Sequence, residues 1–291
     1  MAGSLLLTRV RNRIERVRLH RWRMAAYSSN EAHIVMGGAP RSGTTVLRRI
    51  LDRHPDIRAG AETKLFVPAA FNLEFLATAY DVPLAELQAL RQATPSQAAF
   101  IDAFAARVRA DAGKVRWAEK TPQNIRHLDW IAERFPRASF VHIIRDGRDV
   151  VCSMRTHPDW RWVDGAWQKV LVERPIAWYA RRWLDDTAAG MAWRGDARYV
   201  QIRYEDLVAD PASVLREVCA VIGAEADPAW LATVTTTAAA TDDAGQTKRP
   251  DYEGDVSGAS VGRWRADLEA DDRREVERLC GPRLRELGYE I

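Results

Sequence analysis

A glycine-rich stretch near the start of the chain carries the residues with the clearest chemistry. Residues 37–45 read GGAPRSGTT, so glycines are interleaved with one arginine and several hydroxyl side chains. Glycines let backbone N–H groups converge on phosphate oxygens, and a helix N-terminus adds about half a positive charge. Arg41 can donate two hydrogen bonds to one phosphate group, and Ser42, Thr44 and Thr45 add hydroxyl donors. The stretch therefore predicts a phosphate-binding loop between a strand and a helix.

Two glycines of this loop have the spacing of an NTP-binding P-loop. Gly38 and Gly43 are separated by four residues, but Thr44 stands where the P-loop has its phosphate-binding lysine. Hydrolysis of ATP or GTP is therefore poorly supported. A P-loop nucleotide or small-molecule kinase stays as an alternative function.

A second candidate anion site begins at Arg145, directly after the apolar run Ser139–Ile144. The β-branched and aromatic residues of this run predict a buried parallel strand, and α/β proteins bind ligands at the carboxyl ends of such strands. Ser153 follows on the next predicted helix. An arginine and a hydroxyl can hold a second phosphate group, which implies a ligand with phosphate groups at two ends.

The two motifs together resemble those of the PAPS-dependent sulfotransferase family, whose sulfuryl donor is 3′-phosphoadenosine 5′-phosphosulfate. The pattern is similar to tyrosylprotein sulfotransferases and related bacterial enzymes. The resemblance starts from PRSGTT at residues 40–45 with Arg145 and Ser153, and extends to RYEDL at 203–207, GRW at 262–264 and LGY at 287–289.

The resemblance implies how the donor is bound and that no metal is needed. The loop residues Arg41, Ser42, Gly43, Thr44 and Thr45 would hold the 5′-phosphosulfate. The 3′-phosphate is expected at the strand end and the C-terminal region. The residues implied there are Arg145 and Ser153, with Tyr204 near the nucleotide and Arg263 reaching in from the C-terminal segment.

Catalysis of sulfuryl transfer requires a base, a positive charge near the leaving group and an in-line arrangement. The resemblance implies Glu62 as the base, because its Glu-Thr-basic pattern is similar to that of the tyrosylprotein branch. Glu119 is the fallback base. Lys120 is the expected stabiliser of the leaving group, since a lysine in an arginine-rich chain suggests a need for a compact charge. Arg41 would share the charge on the sulfuryl group.

Two features near the second anion site leave alternatives open. His157 falls where tyrosylprotein relatives carry a further phosphate-binding arginine, and Arg155 or Arg148 could substitute for it. A group of tryptophans within residues 160–183 either packs in the core or lines an apolar acceptor pocket. Its members are Trp160, Trp162, Trp167, Trp178 and Trp183.

The elements that must position these residues alternate between strands and helices. This order predicts an α/β fold, a three-layer α/β/α domain with a mainly parallel central sheet and a P-loop-like strand-loop-helix. The predicted strands are His33–Gly37, Val115–Ala118, Ser139–Ile144 and Tyr199–Ile202. The predicted helices are Thr44–Arg53, Ala69–Tyr80, Leu84–Arg91, Ser96–Ala110, Asn124–Phe135 with Asn124 as its cap, Asp146–Arg155, Ile176–Trp193, Val214–Ile222 and Glu269–Leu287. A long loop is predicted over 238–262.

The net charge of +3 over 291 residues is unevenly distributed. Residues 1–23 hold seven arginines and one acidic residue, a net +6, which leaves −3 on the rest of the chain. We therefore predict a basic N-terminal arm (1–30) and a sulfotransferase domain (31–291). The charge of the body gives no support for nucleic-acid binding.

Composition also bears on the compartment and the partners. Three cysteines are too few for a disulfide framework or a cysteine zinc site. No apolar run approaches the ~18 residues of a membrane-spanning helix. We expect a cytoplasmic, bacterial protein, with the arm either solvated or in peripheral contact with a membrane. Homodimerisation and the acceptor stay open, and a non-enzymatic, membrane-associated nucleotide-binding protein is a further alternative.

Overall fold

The computed structural model describes residues 17–67, 71–157, 159–163, 166–170, 172–236 and 260–291. Its centre is a five-stranded sheet with the order β2-β3-β1-β4-β7, in which neighbouring strands pair in parallel. The strands are β1 (Ile34–Gly37), β2 (Ile57–Arg58), β3 (Arg116–Lys120), β4 (Ser139–Ile144) and β7 (Tyr199–Arg203), while β5 (Asp159–Val163) and β6 (Ala166–Val170) form a separate antiparallel pair.

Helices connect the strands and cover both faces of the sheet. They are α1 (17–24), α2 (Thr44–Asp52), α3 (Leu73–Tyr80), α4 (Leu84–Ala93), α5 (Gln97–Asp111), α6 (Leu128–Arg134), α7 (Gly147–Thr156), α8 (Ile176–Met191), α9 (Tyr204–Ala209), α10 (Pro211–Ile222), α11 (Pro228–Thr236), α12 (Trp264–Asp267) and α13 (Ala270–Glu286). A 3₁₀ turn covers Pro122–Arg126.

Alternation along β1 shows how the sheet separates the layers. Ile34 and Met36 point into a core with α2 and α10, whereas Val35 points into a second core with α5. Successive side chains of a strand face opposite sides, so a fully buried strand must be apolar throughout. A third core packs α7, α8 and α13 together. The predicted three-layer α/β fold with a parallel sheet is confirmed.

One predicted helix is wrong in its first half. The prediction of a single helix over Asn124–Phe135 fails because Pro122 opens a 3₁₀ turn and His127 has a non-helical φ of −126°. Asn124 is not a helix cap, since its side-chain amide donates to the Met36 carbonyl oxygen at 3.1 Å and to Glu119. Tertiary contacts with the strand ends therefore override the helical pattern.

Other boundaries shift by a few residues. Strand β3 extends to Lys120, two residues beyond the prediction, and α3 begins at Leu73, where the Asn72 side chain accepts from the Phe75 N–H at 3.0 Å. The predicted start of that helix at Ala69 lies outside the described residues. The structure also contains elements that the sequence did not predict: strand β2, the hairpin β5–β6 and helices α9, α11 and α12.

The long loop predicted over 238–262 lies outside the described residues up to position 259. Its last part, from Ser260, leads into α12. Across the described ranges, no helix combines the length and apolar character needed to cross a membrane. Nor do the described side chains include a group of three or more His, Cys, Asp or Glu residues arranged for a metal ion.

The C-terminal half of the predicted arm packs on the domain. The Trp22 ring contacts Phe71 and Phe100 at centroid distances of 5.4 and 6.0 Å, and its Nε1 donates to the Thr94 carbonyl oxygen at 3.1 Å. Tyr27 donates its hydroxyl to Asp102 at 2.7 Å. The boundary between arm and domain at residue 30 stays a prediction, but these contacts attach residues 22–27 to the domain.

We expect Trp22→Ala to lower the free energy of unfolding by about 2–3 kcal/mol, because a partly buried aromatic ring and its hydrogen bond are lost. Urea denaturation measures the change. Met24→Ala is the matched control, since Met24 is 47% exposed on the same helix, and we expect it to change stability by less than about 0.5 kcal/mol. Equal effects of the two variants would contradict this packing of the arm.

Candidate anion-binding and catalytic site

The carboxyl ends of four adjacent strands meet at one edge of the sheet. The loop after β1, Lys120 at the end of β3, Arg145 after β4 and Tyr204 after β7 all lie along this edge. The register places Met36 beside Lys120, one residue before the loop begins to turn. Parallel sheets bind ligands at this edge, and the predicted site residues are thereby brought together.

The loop between β1 and α2 has the backbone of an anion cradle. Gly43 precedes α2 with φ 96°, and Arg41 also has a positive φ of 72°. Ser42 is 0% exposed, and its Oγ has no hydrogen-bond partner within the described part of the chain. A buried hydroxyl without a partner is rare in native proteins, so Ser42 fits a ligand oxygen at this position.

Gly43 is required at its position by space as well as by backbone angle. A Cβ atom there would lie 2.3 Å from Cδ2 of Tyr204. Tyr204 is 3% exposed, and its ring also carries the Arg145 guanidinium at 4.8 Å from the ring centroid. The tyrosine therefore packs between the phosphate loop and the second anion motif.

Arg145 joins the two anion motifs. Its Nη1 donates to the Arg41 carbonyl oxygen at 3.2 Å, while its buried Nε has no partner among the described residues. Arg41 in turn donates from Nε to Ser153 Oγ at 3.0 Å. The carbonyl oxygen of Arg145 accepts from Trp183 Nε1 at 3.1 Å. The loop and the pair of Arg145 and Ser153 thus form one connected basic site.

A segment at the start of the C-terminal region lies against this site. Ser260 accepts from Arg145 Nη2 with its carbonyl oxygen, and its Oγ lies 3.1 Å from the Tyr204 hydroxyl. Arg263 directly precedes α12, and its guanidinium pairs with Asp267 of that helix at 2.6 Å. A contact between Arg263 and the 3′-phosphate stays a prediction.

Glu62 and Lys120 form an ion pair beside the phosphate loop. Lys120 Nζ lies 2.6 Å from Glu62 Oε1 and 3.3 Å from Thr45 Oγ1. Their side chains are only 14% and 3% exposed, so water screens the pair weakly. A proton acceptor and a compact positive charge are thus held together at the edge of the loop.

The loop that carries Glu62 is held by contacts from other elements. Tyr80 of α3 donates its hydroxyl to the Ala61 carbonyl oxygen at 2.6 Å, and its ring fills the space where a Cβ of Gly60 would stand. Arg48 of α2 donates to the Ala59 carbonyl oxygen at 2.9 Å. These contacts place Glu62 although only two residues of regular strand precede its loop.

Glu119, the fallback base, is enclosed. It is 1% exposed, and its carboxylate accepts hydrogen bonds from Thr63, Thr121 and Asn124. Burial raises the pKa of Glu119, although these hydrogen bonds act in the opposite direction. The carboxylate oxygens of Glu119 already accept hydrogen bonds and are closed to an acceptor molecule. Glu62 is therefore the better candidate for the base.

The two arginines considered as substitutes for a missing phosphate ligand have other partners. Arg148 donates to Asp146 at 2.8 Å and lies 3.9 Å from the Trp264 ring centroid. Arg155 pairs with Asp272. Among the tryptophans, Trp183 is fully buried and Trp178 is 41% exposed, while the other three side chains lie outside the described part.

Comparison with known proteins gives a consistent family assignment. Residues 33–228 match the family model described as Sulfotransferase family. A Drosophila melanogaster protein-tyrosine sulfotransferase is 32% identical over 134 residues, which are 45% of this chain and 27% of that protein. Protein-tyrosine sulfotransferase 1 of Rattus norvegicus is 34% identical over 130 residues, 44% of this chain and 35% of that protein. The match thus spans only about a third of each curated relative.

Solved structures share the fold. The sulfotransferase domain of the Synechococcus PCC 7002 olefin synthase superposes with a TM-score of 0.65 at 22% identity, covering 93% of this chain and 99% of that one. The sulfotransferase domain from the curacin biosynthetic pathway gives 0.62 at 17% identity, with 91% and 100% covered. A mouse sulfotransferase complexed with PAP gives 0.56 at 16% identity, with 89% and 86% covered.

We expect Gly43→Ala to destabilise the protein by at least about 2 kcal/mol more than Gly113→Ala, because the added Cβ must displace the Tyr204 ring. Gly113 is the matched control, since it also has a positive φ (63°) but nothing within 4 Å of an added Cβ. Thermal and urea unfolding measure both variants. Equal losses would show that the close packing of Tyr204 on the loop is absent.

Proposed function

The chain belongs to the sulfotransferase family, and we propose that it transfers the sulfuryl group of PAPS to a hydroxyl or amine of an acceptor and releases PAP. The observation that carries this proposal is the pair of Glu62 and Lys120 beside the phosphate loop, with Lys120 Nζ 3.3 Å from Thr45 Oγ1. A base next to a positive charge at an anion cradle is the set of groups that sulfuryl transfer requires.

The residues at the strand edge fit a donor with two separated anionic groups. Ser42 Oγ and Arg145 Nε are buried polar atoms for which the described residues supply no partner, and both can donate to oxygens. We infer that the loop with Arg41 and Ser42 holds the 5′-phosphosulfate, and that Arg145 and Ser153 hold the 3′-phosphate. When bound, PAPS supplies an activated sulfuryl group.

Glu62 is the inferred general base. Its carboxylate is ordered by the ion pair with Lys120, which keeps an acceptor of protons beside the phosphate loop. Glu62 Oε would take the proton of the acceptor hydroxyl or amine. Lys120 Nζ, which has three donors, would face the charge that develops on the leaving side. Arg41 adds a second positive charge from the loop.

The acceptor class is part of the proposal. The Glu-Thr-basic pattern around Glu62 and the similarity to protein-tyrosine sulfotransferases both favour a tyrosine-type phenol as the first acceptor to test. Alcohols of sugars or lipids and amines also suit a carboxylate base. A screen of these classes with labelled PAPS distinguishes them.

We expect Glu62→Gln to lower kcat by about 100-fold or more, because the amide cannot accept the acceptor's proton. The affinity for PAP should change by less than about twofold, since Glu62 lies outside the anion cradle. Transfer from labelled PAPS and calorimetry with PAP measure the two quantities. Glu74→Gln, at an exposed carboxylate of α3, is the control. Unchanged turnover would remove Glu62 from the mechanism.

Arg145→Ala should weaken PAP binding by about 10-fold to 100-fold, because a buried charge-assisted contact with a phosphate is lost. Arg216→Ala, at an exposed arginine of α10, should leave the affinity unchanged. Calorimetry with PAP makes the comparison. An unaltered affinity of the Arg145 variant would refute its assignment to the 3′-phosphate.

A further inference from the structure

We infer that two buried carboxylates, Glu119 and Asp149, position the two halves of the site separately. Glu119 positions the Glu62 loop against Lys120, and Asp149 positions the C-terminal segment 260–264 against Arg145. Both are positioning residues, because each acts through a neighbour. The catalytic consequence rests on the proposed function, whereas the hydrogen bonds themselves do not.

Glu119 connects the strand of Lys120 to the loop of Glu62. Its Oε1 accepts from the Thr63 N–H at 3.1 Å, from Thr63 Oγ1 at 2.7 Å and from Thr121 Oγ1 at 2.6 Å. Thr63 directly follows Glu62, and Glu119 directly precedes Lys120. The carboxylate of Glu119 therefore links the residue after Glu62 to the residue before Lys120.

The loop of Glu62 depends on this carboxylate because it has little regular structure of its own. Lys64, two residues after Glu62, has a positive φ of 56°, and its N–H donates to Thr121 Oγ1 at 3.1 Å. Thr121 is itself a donor to Glu119. Successive N–H groups of the loop thus donate to one cluster, formed by Glu119 and Thr121. Loss of this cluster would displace Glu62, and small displacements of a catalytic group reduce the rate steeply.

Asp149 plays the corresponding part at the other half. It lies on α7 and is 0% exposed; Oδ2 accepts from the Gly262 N–H at 2.7 Å, and Oδ1 accepts from the Trp264 N–H at 3.0 Å. The same Oδ2 lies 3.9 Å from Arg145 Nη2. Asp149 therefore holds two backbone groups of the C-terminal segment and the guanidinium that the proposed function assigns to the 3′-phosphate.

The segment that Asp149 holds contacts the nucleotide end of the site. Ser260 accepts from Arg145 and meets the Tyr204 hydroxyl. If the hydrogen bonds that Asp149 accepts from Gly262 and Trp264 were lost, Ser260 would no longer be held in position. Arg145 would then lose the carbonyl oxygen that orients it. In the described contacts, the partners of Glu119 and those of Asp149 do not overlap. Sites without shared partners act independently, so each carboxylate should affect its own half.

Hydrogen–deuterium exchange tests the separation without any assumption about activity. In Glu119→Gln we expect amides of residues 62–65 to exchange about tenfold faster while those of 260–264 keep their rate; Asp149→Asn should give the opposite pattern. Each variant is the control for the other. Faster exchange of both segments in either variant would overturn the inference, because it would indicate general destabilisation.

Binding and turnover then test the consequence for the site. Asp149→Asn should raise the Kd for PAP about tenfold and keep kcat at saturating PAPS within about threefold, whereas Glu119→Gln should lower kcat about tenfold or more and leave the Kd for PAP within about twofold. The acceptor is the one found for the wild-type enzyme. The reverse split, or the same split in both variants, would contradict the assignment.

Milder variants keep the test decisive if a substitution prevents folding. Thr121→Val removes one hydroxyl donor from the Glu119 cluster, and Asp149→Glu keeps the charge that pairs with Arg145. We expect the same segment-specific exchange at smaller size in Thr121→Val, and partial restoration of PAP affinity in Asp149→Glu relative to the asparagine variant. If the wild-type protein does not bind PAP, the proposed function fails, while the exchange pattern still decides the positioning roles.

Discussion

The ion pair between Glu62 and Lys120 is the interaction on which the site depends. Two opposite charges with little exposure are stable only if each has further partners, because desolvation would otherwise outweigh their attraction. Lys120 meets this condition through Thr45 of the phosphate loop. The backbone on both sides of Glu62 is held by Tyr80 and by the Glu119 cluster, which keeps its carboxylate at Lys120. Strand β3, the phosphate loop and α3 thus converge on one pair of side chains.

The other half of the site concentrates positive charge in a body that is slightly acidic outside residues 1–23. Arg145 is surrounded by an aromatic ring, a carbonyl oxygen of the phosphate loop and the carboxylate of Asp149. These partners hold the guanidinium in place and leave its Nε for a ligand. The affinity for a polyanion that the proposed function requires would therefore come from this local arrangement and not from the net charge of the chain.

The parts of the site with strong local signals were predictable from the sequence. The loop at 37–45 and the strand before Arg145 were recognisable because glycines and a buried apolar run have few other interpretations. The sequence did not reveal the helix break at His127 or the two-residue strand β2, because tertiary contacts determine both. Asp149 lies in the first turn of α7, four residues after Arg145, and this spacing was the one sign of its role in the sequence. For the same reason, the side-chain amide of Asn124 donates to Glu119 and does not cap a helix.

The most direct test of the central claim is calorimetric titration of the wild-type protein with PAP and, separately, with ATP. We predict one PAP per chain, bound at least about 100-fold more tightly than ATP, because Arg145 and Ser153 form a second anion site that ATP, whose phosphates are all on one side of the nucleoside, cannot fill. If ATP bound as tightly as PAP or more tightly, the second anion site at Arg145 would be wrong and a P-loop kinase would be favoured.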